Sequence, residues 1–306
     1  MTLLPLIQTA LELGLISSLT VLALFLSYSM LNVCDLSTDG CFTLGAAVGA
    51  VVAIAGHPYL SIAAAMFAGI LSGFITAFLQ TKMGIDSLLA GIIMNTALYS
   101  VNIAVMGGSS LLNMNKTETV FTHIQDAFSD TPFSTSNKLI VAVIAVAAIS
   151  AFLYLFLKTR IGLAIRATGN NPDMVRSSSI NPVMTTMVGL CVSNAFTGLS
   201  GCLLAQSQKS VNIDIGSGMV TIALASLLIG GTFMRTRRMG FRIIGAIIGA
   251  FVFRLVYTIA LRFNMPAYML KLVSSVIVII AIAGPYLKSR FPMIARRLEK
   301  KNASDQ

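Results

Sequence analysis

Long apolar runs separated by short polar breaks make up nearly the whole chain. A helix of about 20 apolar residues covers the hydrocarbon core of a bilayer. Runs of about that length fall at roughly 5–30, 40–56, 59–80, 87–106, 138–157, 183–206, 219–234, 240–261 and 267–287. The pattern predicts an all-α polytopic membrane protein with about nine transmembrane helices. The first run has no Lys or Arg before it and continues to Met30 without an A-x-A-like cleavage site. It therefore reads as a retained span and not as a removed signal.

Charge orients these runs. Lys82, Lys158, Arg160, Arg166, Arg176, Arg235, Arg237, Arg238, Arg242, Lys288, Arg290, Arg296, Arg297, Lys300 and Lys301 are fifteen of the 21 basic residues, and all fall on one side of the nine-span arrangement. The positive-inside rule makes that side cytoplasmic, with the C-terminus inside and the N-terminus outside. No Lys or Arg precedes Lys82, so the first two spans are placed by counting alone. The net charge of +10 follows from the same bias and points to lipid headgroups, not nucleic acid. Cys34, Cys41, Cys191 and Cys202 lie in or beside apolar segments without C-x-x-C or metal spacing, as small buried hydrophobes would.

Two of the runs look broken, and they resemble each other. Asp35-Leu36-Ser37-Thr38-Asp39-Gly40-Cys41-Phe42-Thr43-Leu44-Gly45-Ala46 and Asp214-Ile215-Gly216-Ser217-Gly218-Met219-Val220-Thr221-Ile222-Ala223 both carry an Asp, then Gly-x-x-Thr-(Leu/Ile)-small, offset by one residue. The first would enter from inside and the second from outside, so an inverted repeat would relate spans one to four to spans six to nine. Inverted repeats with discontinuous helices are characteristic of transport folds. Irregular backbone at that depth is tolerated only beside protein or water. The plain alternative is that Gly and Ser merely end two ordinary spans.

Polar residues at span depth then become candidates for a translocation pathway: Asp35, Asp39, Gly40, Asn95, Asn102, Asn194, Asp214 and Gly218. Such groups are costly against lipid and should face the interior. Ordinary interhelix hydrogen bonding is the alternative for each, as it is for Ser193 and Thr197. Arg254 is expected to pair with a carboxylate such as Glu12 or Asp214. The spacings Gly45-x-x-x-Gly49, Gly69-x-x-x-Gly73 and Gly245-x-x-x-Gly249 would bring backbones close, either within one subunit or between two. His57, before Pro58, suits a capping or interfacial imidazole, and His123 a solvated loop. The outer loop, 107–137, offers Lys116, Glu118, Asp126 and Asp130 as docking charges, although a merely solvated loop is equally consistent.

Between the two halves lies a basic stretch, 158–182. Asn171 can cap a helix, Pro172 suits its first position, and Asp173 complements the dipole. The punctuation predicts a short helix from Pro172 to about Ser179, too polar to cross a membrane and lying along the cytoplasmic face. A solvated linker is the alternative.

The stretch Gly162-Leu163-Ala164-Ile165-Arg166-Ala167-Thr168-Gly169-Asn170-Asn171-Pro172, with Arg176 and Ile180, resembles the coupling-loop signature of permeases of branched-chain amino acid and ribose-type ABC importers. In that family the helix ends in Gly-Ile, whereas Ser179 stands at the Gly position here. The segment 35–50 is similar to the family's broken second span, and 223–231 to a stretch ending in Gly-Gly. The DLSTDG form is most similar to permeases partnered with tryptophan- or tyrosine-binding lipoproteins. The resemblance implies a single transmembrane permease domain, 1–306. It would comprise a first repeat (1–106), a linking helix (138–157), a coupling loop (158–182), a second repeat (183–287) and a basic tail (288–306).

It further implies ABC ATPase subunits that contact Arg166, Gly169, Asn171, Pro172, Asp173 and Arg176, an external binding protein or lipoprotein that delivers an amino acid, and a second permease copy, expected to form a homodimer. No cofactor is expected on this chain, because G-x-x-x-x-G-K-(S/T) is absent and ATP would be used by the partner subunit. Neither H-E-x-x-H nor G-x-S-x-G occurs, so no enzyme constellation is expected. The expected location is the bacterial inner membrane. An ion-coupled secondary transporter is the main alternative, with Asp35, Asp39 and Asp214 as its coupling acids; a non-transport membrane scaffold is a third class.

Overall fold

Six of the apolar runs form helices long and apolar enough to cross a bilayer in the computed structural model, which describes residues 3–127, 137–233, 238–262, 272, 275–279 and 283. In chain order, α1 (Leu3–Leu24) continues into a π-helical turn (Phe25–Met30), and α2 (Thr38–Ile54), α3 (Pro58–Thr81) and α4 (Ser87–Val105) follow. Next come β1 (Leu111–Asn113), α5 (Val120–Ala127), α6 (Asn137–Lys158), α7 (Arg160–Asn170), α8 (Pro172–Ser177), α9 (Pro182–Gln208), β2 (Ser210–Asn212), α10 (Met219–Phe233) and α11 (Met239–Arg262). The expected ninth span, 267–287, lies largely outside the described residues.

The two runs expected to be broken are the two short apolar helices, α2 and α10. At 1.5 Å per residue they reach about 25 and 22 Å, less than the ~30 Å core. Each is preceded by non-helical backbone, residues 31–37 before α2 and 213–218 before α10.

Small residues explain why α9 is the central helix. Within its most apolar window 78% of residues are buried, against 28% for α4 and 22% for α6, which are peripheral. A Cβ at Gly45 would run into the backbone of Gly198, one at Gly69 into Asn194, and one at Gly73 into Leu190. On α11, a Cβ at Gly249 would strike the Ser226 carbonyl of α10. The three glycine pairs thus serve helix contacts inside one subunit.

Directions follow from the side-chain bonds. Ser200 Oγ donates to the Ile16 carbonyl at 2.7 Å and Ser193 Oγ to the Ala23 carbonyl at 2.8 Å, so α1 and α9 are antiparallel. Arg242 Nη2 donates to Ser29 Oγ at 2.8 Å and Arg254 Nε to Ser17 Oγ at 3.3 Å, which sets α11 antiparallel to α1. One end of the bundle therefore carries the start of α1, the end of α9 and the strands. The opposite end carries Met30, α7, α8 and the start of α11.

A small β ribbon is an addition to the all-helical expectation. β1 and β2 pair antiparallel, with Leu112 opposite Val211. Val211 is buried with Met106, Met114, Ala50 and Ala53, tying the loop after α4 to the segment that leads into α10. Gln206 Oε1 accepts from Val120 N at 2.9 Å and fixes the start of α5, so this part of the outer loop is packed. His123 lies 3.4 Å from Glu118 and against the Tyr59 ring, not free in solvent. His57 is at the N-cap position of α3 but its side chain makes no cap bond. Asp130 and the side chain of Asp126 lie outside the described residues.

Candidate functional site

Asp39 stands in the first turn of α2, and its carboxylate also reaches the start of α10. Its two oxygens accept from Gly218 N at 2.9 Å and from Val220 N at 2.8 Å. One acid therefore lies at the N-terminal turns of two helices, where negative charge is favoured. Thr43 Oγ1 accepts from Gly216 N at 3.2 Å, and a Cβ at Gly216 would run into the Asp39 carbonyl. The similarity of the two broken runs is thus matched by physical contact between them.

Asp35 ties the same break to the central helix. It is fully buried, accepts from Ser37 N at 2.9 Å and from the Ser37 hydroxyl, and takes Asn194 Nδ2 on its other oxygen at 2.7 Å. Thr76 Oγ1 adds a bond to Ser37 Oγ at 3.2 Å. A buried carboxylate is tolerable only when paired or bonded in this way.

Beside the meeting point of α2 and α10 is a cavity of about 420 Å³. Five of the eight sequence-predicted pathway residues line it: Asp39, Gly40, Asn95, Asn102 and Asp214. Asp35, Asn194 and Gly218 do not: the first two bond each other, and Gly218 (φ +86°) supplies a backbone N–H to Asp39. Thr43, Thr96, Tyr99, Ser100, Ile213 and Ser217 complete the lining. Four of these eleven residues, Asn95, Thr96, Tyr99 and Asn102, share one face of α4 at helical spacing. A polar stripe at 95, 99 and 102 was a readable signal for Tyr99. Asn102 is 1% exposed; its Nδ2 donates to the Gly40 carbonyl at 3.1 Å, and its Oδ1 has no partner among the described residues.

The expected pairing of Arg254 with Glu12 or Asp214 does not form. Arg254 bonds Ser17 and lies over the Tyr257 ring at 5.6 Å, whereas Glu12 takes a bond from Gln8 on its own helix. Asp214 is exposed at the strand end, beside β2. A guanidinium held by a hydroxyl and an aromatic face explains the placement of Arg254 without a carboxylate.

At the opposite end, Asn171 Oδ1 accepts from Asp173 N and Met174 N, both at 3.0 Å, and Pro172 occupies the first position of α8. α8 stops at Ser177, two residues earlier than the sequence suggests. Ser179 N donates to the Arg176 carbonyl at 3.1 Å and Ile180 N to the Val175 carbonyl at 3.2 Å, with Ser179 at φ +59°. That is a Schellman closure with a left-handed residue at the position glycine favours. Val175 is buried and anchors the helix, while Asp173, Met174 and Arg176 are exposed. The Arg176–Asp173 ion pair, 3.4 Å long and solvent-exposed, contributes little to stability.

α7 is a second helix in this loop that the sequence did not reveal. Arg166 faces outward, as do Asn171 and Pro172. Gly169 does the reverse: a Cβ there would meet the Met30 carbonyl and the Leu31 backbone. Thr168 Oγ1 and Thr185 Oγ1, 2.8 Å apart, bind α7 to α9. The polar loop is thus seated directly on the segment that leads to Asp35.

Two short helices meeting beside a polar cavity in an otherwise apolar bundle are the architecture of a membrane permease. Residues 6–282 match the family described as the permease component of branched-chain amino acid transport systems, and the chain belongs to that family. Its members are ABC transporter permease subunits, which are not themselves enzymes. The chain is 29% identical over 271 residues to the tyrosine transport system permease protein of Clostridioides difficile (strain R20291), covering 88% of each. It is 24% identical over 254 residues to the ribose import permease protein RbsC of Escherichia coli (strain K12), covering 81% of this chain and 75% of the relative. Similarity also extends to the probable branched-chain amino acid transport permease protein LivH of Methanocaldococcus jannaschii, 26% over 278 residues, 88% of this chain and 77% of that one. No solved structure matches the chain.

Proposed function

We propose that this chain is the transmembrane permease subunit of an ATP-binding cassette importer that carries a small solute, an amino acid of the aromatic kind included, across a bacterial inner membrane. The observation that carries the proposal is the polar cavity at the junction of α2 and α10, in a chain whose family is that of importer permeases. The amino-acid reading rests on the tyrosine transport relative.

The end bearing α7 and α8 faces the cytoplasm, where Lys82, Lys158, Arg160, Arg166, Arg176, Arg238 and Arg242 collect, as the positive-inside rule asks. The N-terminus is then outside and the C-terminus inside. ABC ATPase subunits grip the exposed face of α8 through Asp173, Met174 and Arg176, with Arg166, Asn171 and Pro172 shaping that face. ATP is used there, and this chain binds no cofactor. An external binding protein or lipoprotein docks at the strand end, and a second permease copy, forming a homodimer, completes the assembly among membrane lipids.

Movement of α8 is passed through Gly169 to Met30 and Leu31, and from there along residues 31–37 to Asp35 and α2. The bonds from Asp39 to α10 connect that displacement to the second half of the chain. Spans one to four and six to nine act as two inverted repeats in this motion. The test is uptake into liposomes holding the permease, its ATPase and its binding protein. ATP-dependent accumulation is expected. Accumulation driven by an ion gradient without ATP would mean a secondary transporter instead.

A further inference from the structure

We propose that the cavity between α2 and α4 selects the ammonium group of its solute, so that this chain discriminates amines from anions by itself, apart from any binding protein. The proposal rests on the importer reading above for the route, and on the cavity's own chemistry for the selection. Two carboxylates, Asp39 and Asp214, line the cavity, and none of the described residues lining it is basic. The remaining polar groups are amides and hydroxyls.

The hydrogen-bonding inventory has the same bias. Asn102 commits its Nδ2 to the Gly40 carbonyl, which fixes Oδ1 as the available atom, and that acceptor is buried without a partner among the described residues. Buried acceptors are rarely left unpaired, so an N–H from a solute is the natural complement. Asp39 holds Gly218 N and Val220 N, which fixes its carboxylate at the cavity wall. An ammonium offers three donors and a positive charge, matching this set. An anion without an ammonium of its own would meet two negative charges, with no cation among the described lining residues to oppose them. The Tyr99 ring and Ile213 supply an apolar wall for the rest of the molecule.

The experiment uses the full permease with its ATPase in nanodiscs and a reporter thiol, Ser100→Cys, on the cavity wall. Labelling by a maleimide is timed against the complex without the substitution, which accounts for the native cysteines. The probes are tyramine, L-tyrosine, 3-(4-hydroxyphenyl)propionate and ribose. Tyramine and L-tyrosine should slow labelling about tenfold or more, and the propionate and ribose should leave it unchanged. Adding Asp214→Asn, an exposed position that leaves packing intact, should remove most of the protection. Equal protection by the propionate or ribose, protection that survives Asp214→Asn, or no protection by any probe would overturn the proposal. ATP-dependent uptake of L-tyrosine is read separately in the same preparation. Uptake without protection discards the selectivity and keeps the importer; protection without uptake discards the importer for this solute and keeps the selectivity.

Discussion

The break before α2 and the loop from α7 to α8 use the same residue types, Asp, Asn, Gly, Ser and Thr, and satisfy them in opposite ways. Asp35 bonds Asn194 and Asp39 bonds Gly218, partners 159 and 179 residues away. Asn171 caps residues two and three positions ahead, and Arg176 pairs with Asp173 three positions back. The first region is buried and its polar groups hold distant helices together. The second is exposed, its polar groups only shape a local helix, and its outer face stays open. Polar residues at bilayer depth therefore act as tertiary locks, while those in the loop leave the outer face of α8 exposed. Gly169 joins the two regions.

Breaking the lock should have the largest effect. Asp35→Ala leaves the Asn194 amide and both Ser37 donors without their charged acceptor, and bonds to charged groups are worth roughly 1.5–3 kcal/mol each. Loss of monodisperse protein on size-exclusion chromatography is expected, and a variant that purifies with an unchanged melting temperature would refute the lock. Gly169→Val comes next, because the added carbons must displace the Met30 carbonyl. It should lower the melting temperature and abolish transport, whereas Arg166→Ala, on the outward face of the same helix, should leave the melting temperature unchanged.

The loop's own chemistry should give smaller and more local effects. Asn171→Ala removes an N-cap worth about 1 kcal/mol. Faster amide exchange confined to α8, with the global melting temperature unchanged, is the expected outcome. Ser179→Gly should be the mildest, slowing exchange at the end of α8, since relief of the left-handed strain is offset by the roughly 0.4–1 kcal/mol that glycine's unfolded-state freedom costs.

Legibility in the sequence followed the same division. The apolar runs, the two interruptions and the Asn171-Pro172 cap could be read because each is decided within a few neighbouring residues. α7 could not, because Gly162 and Gly169 depress helix propensity and are there for contacts with Leu157 and Met30. The ribbon was hidden by strands of three residues each, too short to show alternation. Arg254 misled because its counterparts are a serine and a tyrosine, which leave no charge pattern. Of the pathway set, Asp39, Asn95, Asn102 and Asp214 do meet at one cavity, and no local rule could have separated them from Asp35 and Asn194.

Reversing the charge at Asp173 asks whether α8 is where ATP hydrolysis is joined to transport. The side chain is exposed and its only ion pair among the described residues is a weak surface one, so Asp173→Lys should leave the permease folded and inserted. In liposomes with the ATPase and binding protein, ATP hydrolysis should continue while ATP-dependent uptake falls to background. Uptake that stays proportional to hydrolysis, with expression and melting temperature unchanged, would contradict α8 as the point where the two are joined.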